Sequence, residues 1–193
     1  MNLKPDELLG IMQKQEAFLK EAQTMSVKVG LPKKTASIQD EGVSIITIGA
    51  AHEYGAEFIH PGGTSYTKGE SGRAKFVKKG TSGVVGKTGA HKIVIPQRSF
   101  LRVPFAVKQD ELVKAIQSQF ELGRSGELSV EKALGRIGAV AAGISKKAFT
   151  TKGYGTWTDI KPETKKRKKS SVILIDTGTL KQSITWGVER NAS

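Results

Sequence analysis

His52 and Glu53 are adjacent, and Glu57 and His60 follow within eight positions; these are residue types that ligate a divalent cation. The spacing speaks against a metal site. His-Glu followed by a histidine eight positions on does not put two imidazoles on one helical face, and Gly55 and Pro61 interrupt any helix that would. A structural role for His52 and Glu53 is the expectation. Gly86-Lys87-Thr88 matches the end of the phosphate loop G-x-x-x-x-G-K-[ST], but position 81 is Thr. Strand-like residues run from Thr88 to Pro96, so no helix N-terminus follows to hold a phosphate. Val172 to Asp176 imitates the acidic strand of nucleotide hydrolases, yet apolar strands ending in Asp are common. With no cysteine, three histidines and no G-x-S-x-G, nothing marks a nucleophile. The residues predict no catalytic, metal or cofactor-binding site, and no enzyme.

Charge is the next feature that could act on a partner. The 193 residues carry a formal net charge of +13, unevenly placed. Residues 1–59 hold 6 basic and 8 acidic groups; from His60 to Arg98 there are 8 basic groups against Glu70 alone. Lys161 to Lys169 adds 6 basic groups against Glu163. Pro61 to Gly89 also contains eight glycines, too many for a stable helix, so a mobile loop or a long twisted β-arm is expected. Candidate contacts with DNA or another partner are Lys68, Arg73, Lys75, Lys78, Lys79 and Lys87 in this arm. Lys165, Lys166, Arg167, Lys168 and Lys169 form a second, solvated run. Basic, glycine-rich loops also serve as plain solubilising surface. Tyr66 and Phe76 are the arm's only aromatics, which disfavours a platform for stacking single-stranded bases.

The elements that position these groups follow from periodicity. Pro5 to Gln23 reads as an amphipathic helix, and Val27 to Gly30 and Val43 to Ile48 as strands joined by a turn-prone Pro32 to Gly42. Ala50 to Gly55 reads as a short helical turn, and Lys92 to Ile95 as a strand stopped by Pro96. One helix is expected over Pro104 to Leu122 and another, capped by Ser129, through Phe149. Gly135, Gly138, Ala139, Ala141, Ala142 and Gly143 make one face of the latter small enough for another helix. Ser171 to Ile175 and Ile184 to Val188 read as strands flanking a polar link. The fold class is α+β, a mixed or antiparallel sheet packed by two to three helices with a long Gly/Lys-rich arm. Residues 1–193 read as one domain, with 60–92 as the arm and 161–170 as a basic loop before the C-terminal strands. The acidic, amphipathic start and the short apolar runs predict a soluble, intracellularly made protein with no membrane partner.

Three segments, in order, resemble one family. Ile48-Gly49-Ala50-Ala51-His52-Glu53-Tyr54-Gly55 is similar to its A-x-x-H/V-E-[FY]-G segment. Ile95-Pro96-Gln97-Arg98-Ser99-Phe100-Leu101-Arg102 is similar to I-P-x-R-P-F-L-R, with Ser99 where proline is usual. Trp157 to Ile184, with Thr164, Lys168 and Leu174 to Ile184, resembles W…P-x-T…K…L-[IV]-D-T-G-x-L-x-x-S-I. The family is the tail-component and virion-morphogenesis group of tailed bacteriophages, which includes gp10-like proteins of HK97-type phages and similar late proteins of Mu-like phages. The match touches about a quarter of the chain, and nothing is carried over to His60–Lys92.

The resemblance implies a structural virion protein of the neck or tail, assembled in the host cytoplasm, for tail completion or head–tail joining. It implies as partners other copies in a ring, with sixfold order the guess from tail symmetry, neighbouring connector and tail proteins, and channel DNA. The motif positions expected to be structural or interface residues are His52, Glu53, Tyr54, Gly55, Pro96, Arg98, Phe100, Leu101, Arg102, Asp176, Thr177, Gly178, Leu180 and Ser183. Physical roles suggest themselves independently. Pro96 to Arg102 turns a strand into a helix, with Phe100 and Leu101 for the core and Arg98 and Arg102 for carboxylate pairs such as one with Glu53. Asp176-Thr177-Gly178 is a turn or cap signature in which Gly178 supplies a positive φ. The alternative function is nucleic-acid binding through the basic arm and loop.

Overall fold

The computed structural model describes residues 4–40, 42–69, 74–160, 162, 173–174 and 178–191. They divide into two compact units, one from residues 1–54 and 97–193, the other from Gly55–Pro96. The first unit opens with α1 (Pro5–Gln23) and β1 (Met25–Gly30), then β2 (Gln39–Asp40), β3 (Val43–Ser44) and α2 (Ile45–Tyr54). The second unit holds β4 (Ala56–His60), β5 (Ser65–Lys68), β6 (Ala74–Phe76), β7 (Gly86–Lys87) and β8 (His91–Ile95). The chain then returns to the first unit through α3 (Arg102–Val107), α4 (Gln109–Arg124), α5 (Val130–Ala148), α6 (Thr179–Ser183) and β9 (Thr185–Arg190). The fold is α+β, and among the described residues every strand pair is antiparallel.

In the first unit, α1 begins at Pro5, where the missing N–H costs nothing, and the Lys4 N–H donates to Glu7 Oε2 at 3.0 Å. Long-range contacts organise the rest. β1 and β9 form a ribbon with Val27 opposite Val188 and Val29 opposite Trp186. Around them lie two apolar clusters. One joins Phe18 to Val130, Ala133, Leu134 and Ile137. The other joins Ile45, Phe100, Ala148, Phe149, Trp157, Ile173, Leu180 and Ile184, with Phe149 edge-on to Trp157 at 5.6 Å.

Several expectations need correction. Val43 to Ile48 is a strand only to Ser44, after which α2 runs as a helix to Tyr54. Ile45, Gly49 and Glu53 are its buried residues; their spacing of four puts one helical face in the core, and that burial overrides the strand preference of Ile45-Ile46-Thr47-Ile48. The helix expected over Pro104 to Leu122 is two, broken at Lys108, whose φ of −109° and ψ of 26° leave the helical region. Phe105 and Leu112 are seven residues apart, so the apolar period hides the break. Of the strand expected over Ser171 to Ile175, the described Ile173 and Leu174 lie in a turn, with Leu174 at φ 57°, incompatible with a strand.

α5 starts as expected, with Ser129 Oγ accepting from the Lys132 N–H at 3.4 Å. At Gly135 and Gly138 the neighbour is a side chain from a strand. The Trp186 indole of β9 lies over Gly135 and Gly138, and a Cβ at Gly138 would be 3.0 Å from both that ring and Val27 Cγ1. A flat ring on a strand fills the notch that small side chains leave.

The second unit is built from β4 paired with β8, Phe58 opposite Ile93, and from β5 between β6 and β7. His60 and His91, opposite each other at the end of the first ribbon, stack with ring centroids 5.0 Å apart. Gly55, at φ 78°, adopts the left-handed geometry that ends α2.

Candidate functional site

Glu53 lies in the last turn of α2 and is 4 % exposed. A carboxylate there is doubly disfavoured, by burial and by the negative end of its own helix dipole. The segment entering α3 supplies the compensation, because the first N–H groups of a helix have no partner within it. Glu53 Oε2 accepts from the N–H of Phe100 at 2.8 Å and of Leu101 at 3.0 Å. Oε1 accepts from Ser99 Oγ at 2.7 Å, from the Arg102 N–H at 3.1 Å and from Arg102 Nε at 3.1 Å. Burial pushes this carboxyl up, but the Ser99 hydroxyl and the N–H groups of Arg102, Leu101 and Phe100 together outweigh it, and Glu53 titrates below the usual glutamate range.

The same segment satisfies the end of α2. The Arg98 N–H donates to the His52 carbonyl at 2.7 Å, while Gln97 Nε2 and Arg102 Nη2 each donate to the Glu53 carbonyl at 3.1 Å. The half-exposed Arg102 guanidinium lies 4.4 Å above the Tyr54 ring. Ser99 Oγ, besides donating to Glu53, accepts from the Val103 N–H at 3.0 Å, so one hydroxyl joins the carboxylate to α3. A proline at this position would make neither bond.

Two further groups hold the segment from behind. Trp157 Nε1 donates to the Ser99 carbonyl at 3.0 Å, and the fully buried Ser145 Oγ donates to the Phe100 carbonyl at 2.7 Å. The Phe100 side chain, 1 % exposed, enters the same cluster as Leu180 and Ile184, and Leu101 packs against it. Ser183 is half-buried in α6, and Gly178, at φ 83°, precedes that helix. Gly55 and Pro96 are the first and last residues of the second unit.

Of the two arginines expected in carboxylate pairs, Arg102 is the one that pairs with Glu53. Arg98 is buried and donates through Nε to the Thr158 carbonyl at 3.2 Å. Burial lowers the Arg98 pKa, against the opposing pull of Asp159. The Arg98 N–H goes to the His52 carbonyl and its side chain leaves on the Thr158 side, where Asp159 is the carboxylate that acts on it. Sequence reasoning missed Gln97, Ser99 as a ligand of Glu53, and Ser145. A hydroxyl residue three positions before the first residue of α3 is the signal for Ser99, whose oxygen reaches the N–H of Val103; Gln97 and Ser145 carry none.

The basic candidates form a separate group in the second unit. Lys68, Lys75, Lys78, Lys79 and Lys87 are exposed on or beside the three-stranded sheet, and none is in an ion pair among the described residues. Lys79 and Lys87 line a shallow cavity of about 340 Å³ with Thr64, Ser65 and Val77. Arg73, Lys165, Lys166, Arg167, Lys168 and Lys169 lie outside the described residues, as do Asp176 and Thr177. Among the described residues no group of three or more His, Asp or Glu is placed to hold a metal ion, and no helix is long and apolar enough to cross a membrane.

A carboxylate with five donors is a poor proton acceptor near neutral pH. The arrangement pins the end of α2 to the start of α3. No protein-family model, curated protein or solved structure matches the chain.

Proposed function

We propose that the chain is a structural protein of the tailed-phage virion, acting at the neck or tail in tail completion or head–tail joining as a ring of copies. The observation that carries this reading is that the segments resembling the phage family meet around one buried carboxylate. Glu53 from the first segment accepts from residues 99–102 of the second, and Trp157 of the third donates to Ser99. Leu180 and Ile184, also from the third, share a cluster with Phe100. Motifs matched by coincidence have no reason to be neighbours in space; motifs that specify a common core must be. The test is electron microscopy of particles from a phage-producing culture with this gene disrupted, beside its complemented control. Separated DNA-filled heads and unjoined or malformed tails support the proposal, and normal infectious particles refute it.

The second reading, nucleic-acid binding, is favoured by the five exposed lysines on or beside one small sheet. Phosphate contacts release counterions, so affinity for duplex DNA would fall steeply with salt, and removing Lys79 and Lys87 would lower the log–log slope by about two. Binding that is insensitive to salt, or to both substitutions, removes this reading.

A further inference from the structure

α1 is packed at one end only. Phe18 is its buried residue and Ala22 is half-buried, whereas Leu8, Leu9, Ile11 and Met12 are 50 %, 55 %, 40 % and 58 % exposed. These are not scattered. Ala22, Phe18, Gln15, Ile11 and Leu8 recede at spacings of four and three, so the stripe that seats the helix on its own unit continues outward past the last contact. Glu7 flanks it on one side and Glu16, ion-paired with Lys20 at 2.7 Å, on the other, and over its length α1 carries Asp6, Glu7, Glu16 and Glu21 against Lys14 and Lys20. A helix with several uncovered turns gains little from propensity alone.

A surface of the complementary kind lies on the same unit. Between α5 and β9 runs a groove of about 590 Å³ floored by Gly135, Ala139, Trp186 and Val188, with Lys132 and Arg136 on its rim. Among the described residues Glu131 is the one acid lining it. Trp186 is 40 % exposed there. An apolar floor with a cationic rim fits an amphipathic helix whose apolar stripe has acidic flanks.

We propose that the outer half of α1 from one copy docks in the α5–β9 groove of a second copy, through Leu8, Ile11 and Met12 over Trp186 and with Glu7 and Glu16 toward Lys132 and Arg136. The two patches differ, so the contact is heterologous: each copy offers one helix and one groove, which propagates head to tail and closes into a ring where the rotation allows. The inference rests on the self-assembly part of the virion reading, but it is measured on purified protein, so it and the particle phenotype fail separately.

Sedimentation velocity of the full chain over a concentration series tests it. The wild type should associate, and Leu8→Asp with Met12→Asp, both exposed, should abolish association. Arg136→Glu with Ala139→Glu should do the same from the groove side, with circular dichroism confirming that both variants stay folded. Mixed together, the two should give a one-to-one heterodimer and nothing larger, since one intact helix meets one intact groove. A wild type that remains monomeric up to about 1 mM, a helix variant that associates like wild type, or a folded mixture that forms no heterodimer overturns the proposal.

Discussion

Trp157 donates its indole N–H to the carbonyl of Ser99, 58 positions earlier, while the hydroxyl of that serine donates to Glu53 on the other side. One residue thereby joins three distant stretches of chain, and the resulting bonds are all internal to the fold.

Replacing Glu53 with Ala would leave the Ser99 hydroxyl and three backbone N–H groups without their acceptor. Unfolding free energy from urea denaturation should fall by about 3 kcal/mol, as expected when a buried, hydrogen-bonded charge is removed from its partners. Glu53→Gln, which keeps one acceptor oxygen, should lose less. A change within experimental error for the alanine variant would mean that the carboxylate does not hold these elements together.

Because Glu53 titrates lower in the folded protein than in the unfolded chain, its ionisation favours folding at pH values above the ordinary glutamate value of about 4.3. That contribution disappears as pH falls through the lower, folded-state value. Urea midpoints measured between neutral and acidic pH should therefore decline more for the wild type than for Glu53→Gln. Parallel profiles would assign the acid sensitivity to other carboxylates.

Ser99→Ala removes both the donor to Glu53 and the acceptor for the Val103 N–H. The expected cost is about 1 to 2 kcal/mol, comparable to losing a helix cap. Combined with Glu53→Gln it should be clearly non-additive, because the two share a bond; strict additivity would show that the bond contributes nothing.

Two glycines of α5 should respond oppositely to alanine. At Gly138 the new methyl meets Trp186 and Val27, and a loss of about 1 to 3 kcal/mol is expected. At Gly143 a Cβ meets nothing within 4 Å, so the gain in helix propensity should stabilise by about 0.5 to 1 kcal/mol. Thermal or urea unfolding of both variants decides this, and equal effects would contradict the seating of Trp186 on the helix.

Local chemistry by itself determined a good part of this protein. Pro5 and the spacing behind it marked α1, Ser129 marked the start of α5, Gly178 its positive φ, and Pro96 the end of β8, because each signal acts through backbone geometry or period within a few residues. Phe100 as core and Arg102 as a partner of Glu53 were also legible, from residue type and charge. Tertiary structure alone decided the rest. Ile45 to Ile48 reads as strand until the core claims Ile45, Gly49 and Glu53 at helical spacing, and the break at Lys108 leaves the apolar period intact. The small face of α5 suits helix or strand equally, until the β1–β9 ribbon delivers Trp186 to it. Arg98 and Arg102 differ in partner because only one has its side chain on the carboxylate side of the turn. Each of these outcomes depends on which distant residue arrives, a choice made by burial over the whole chain that no short window contains.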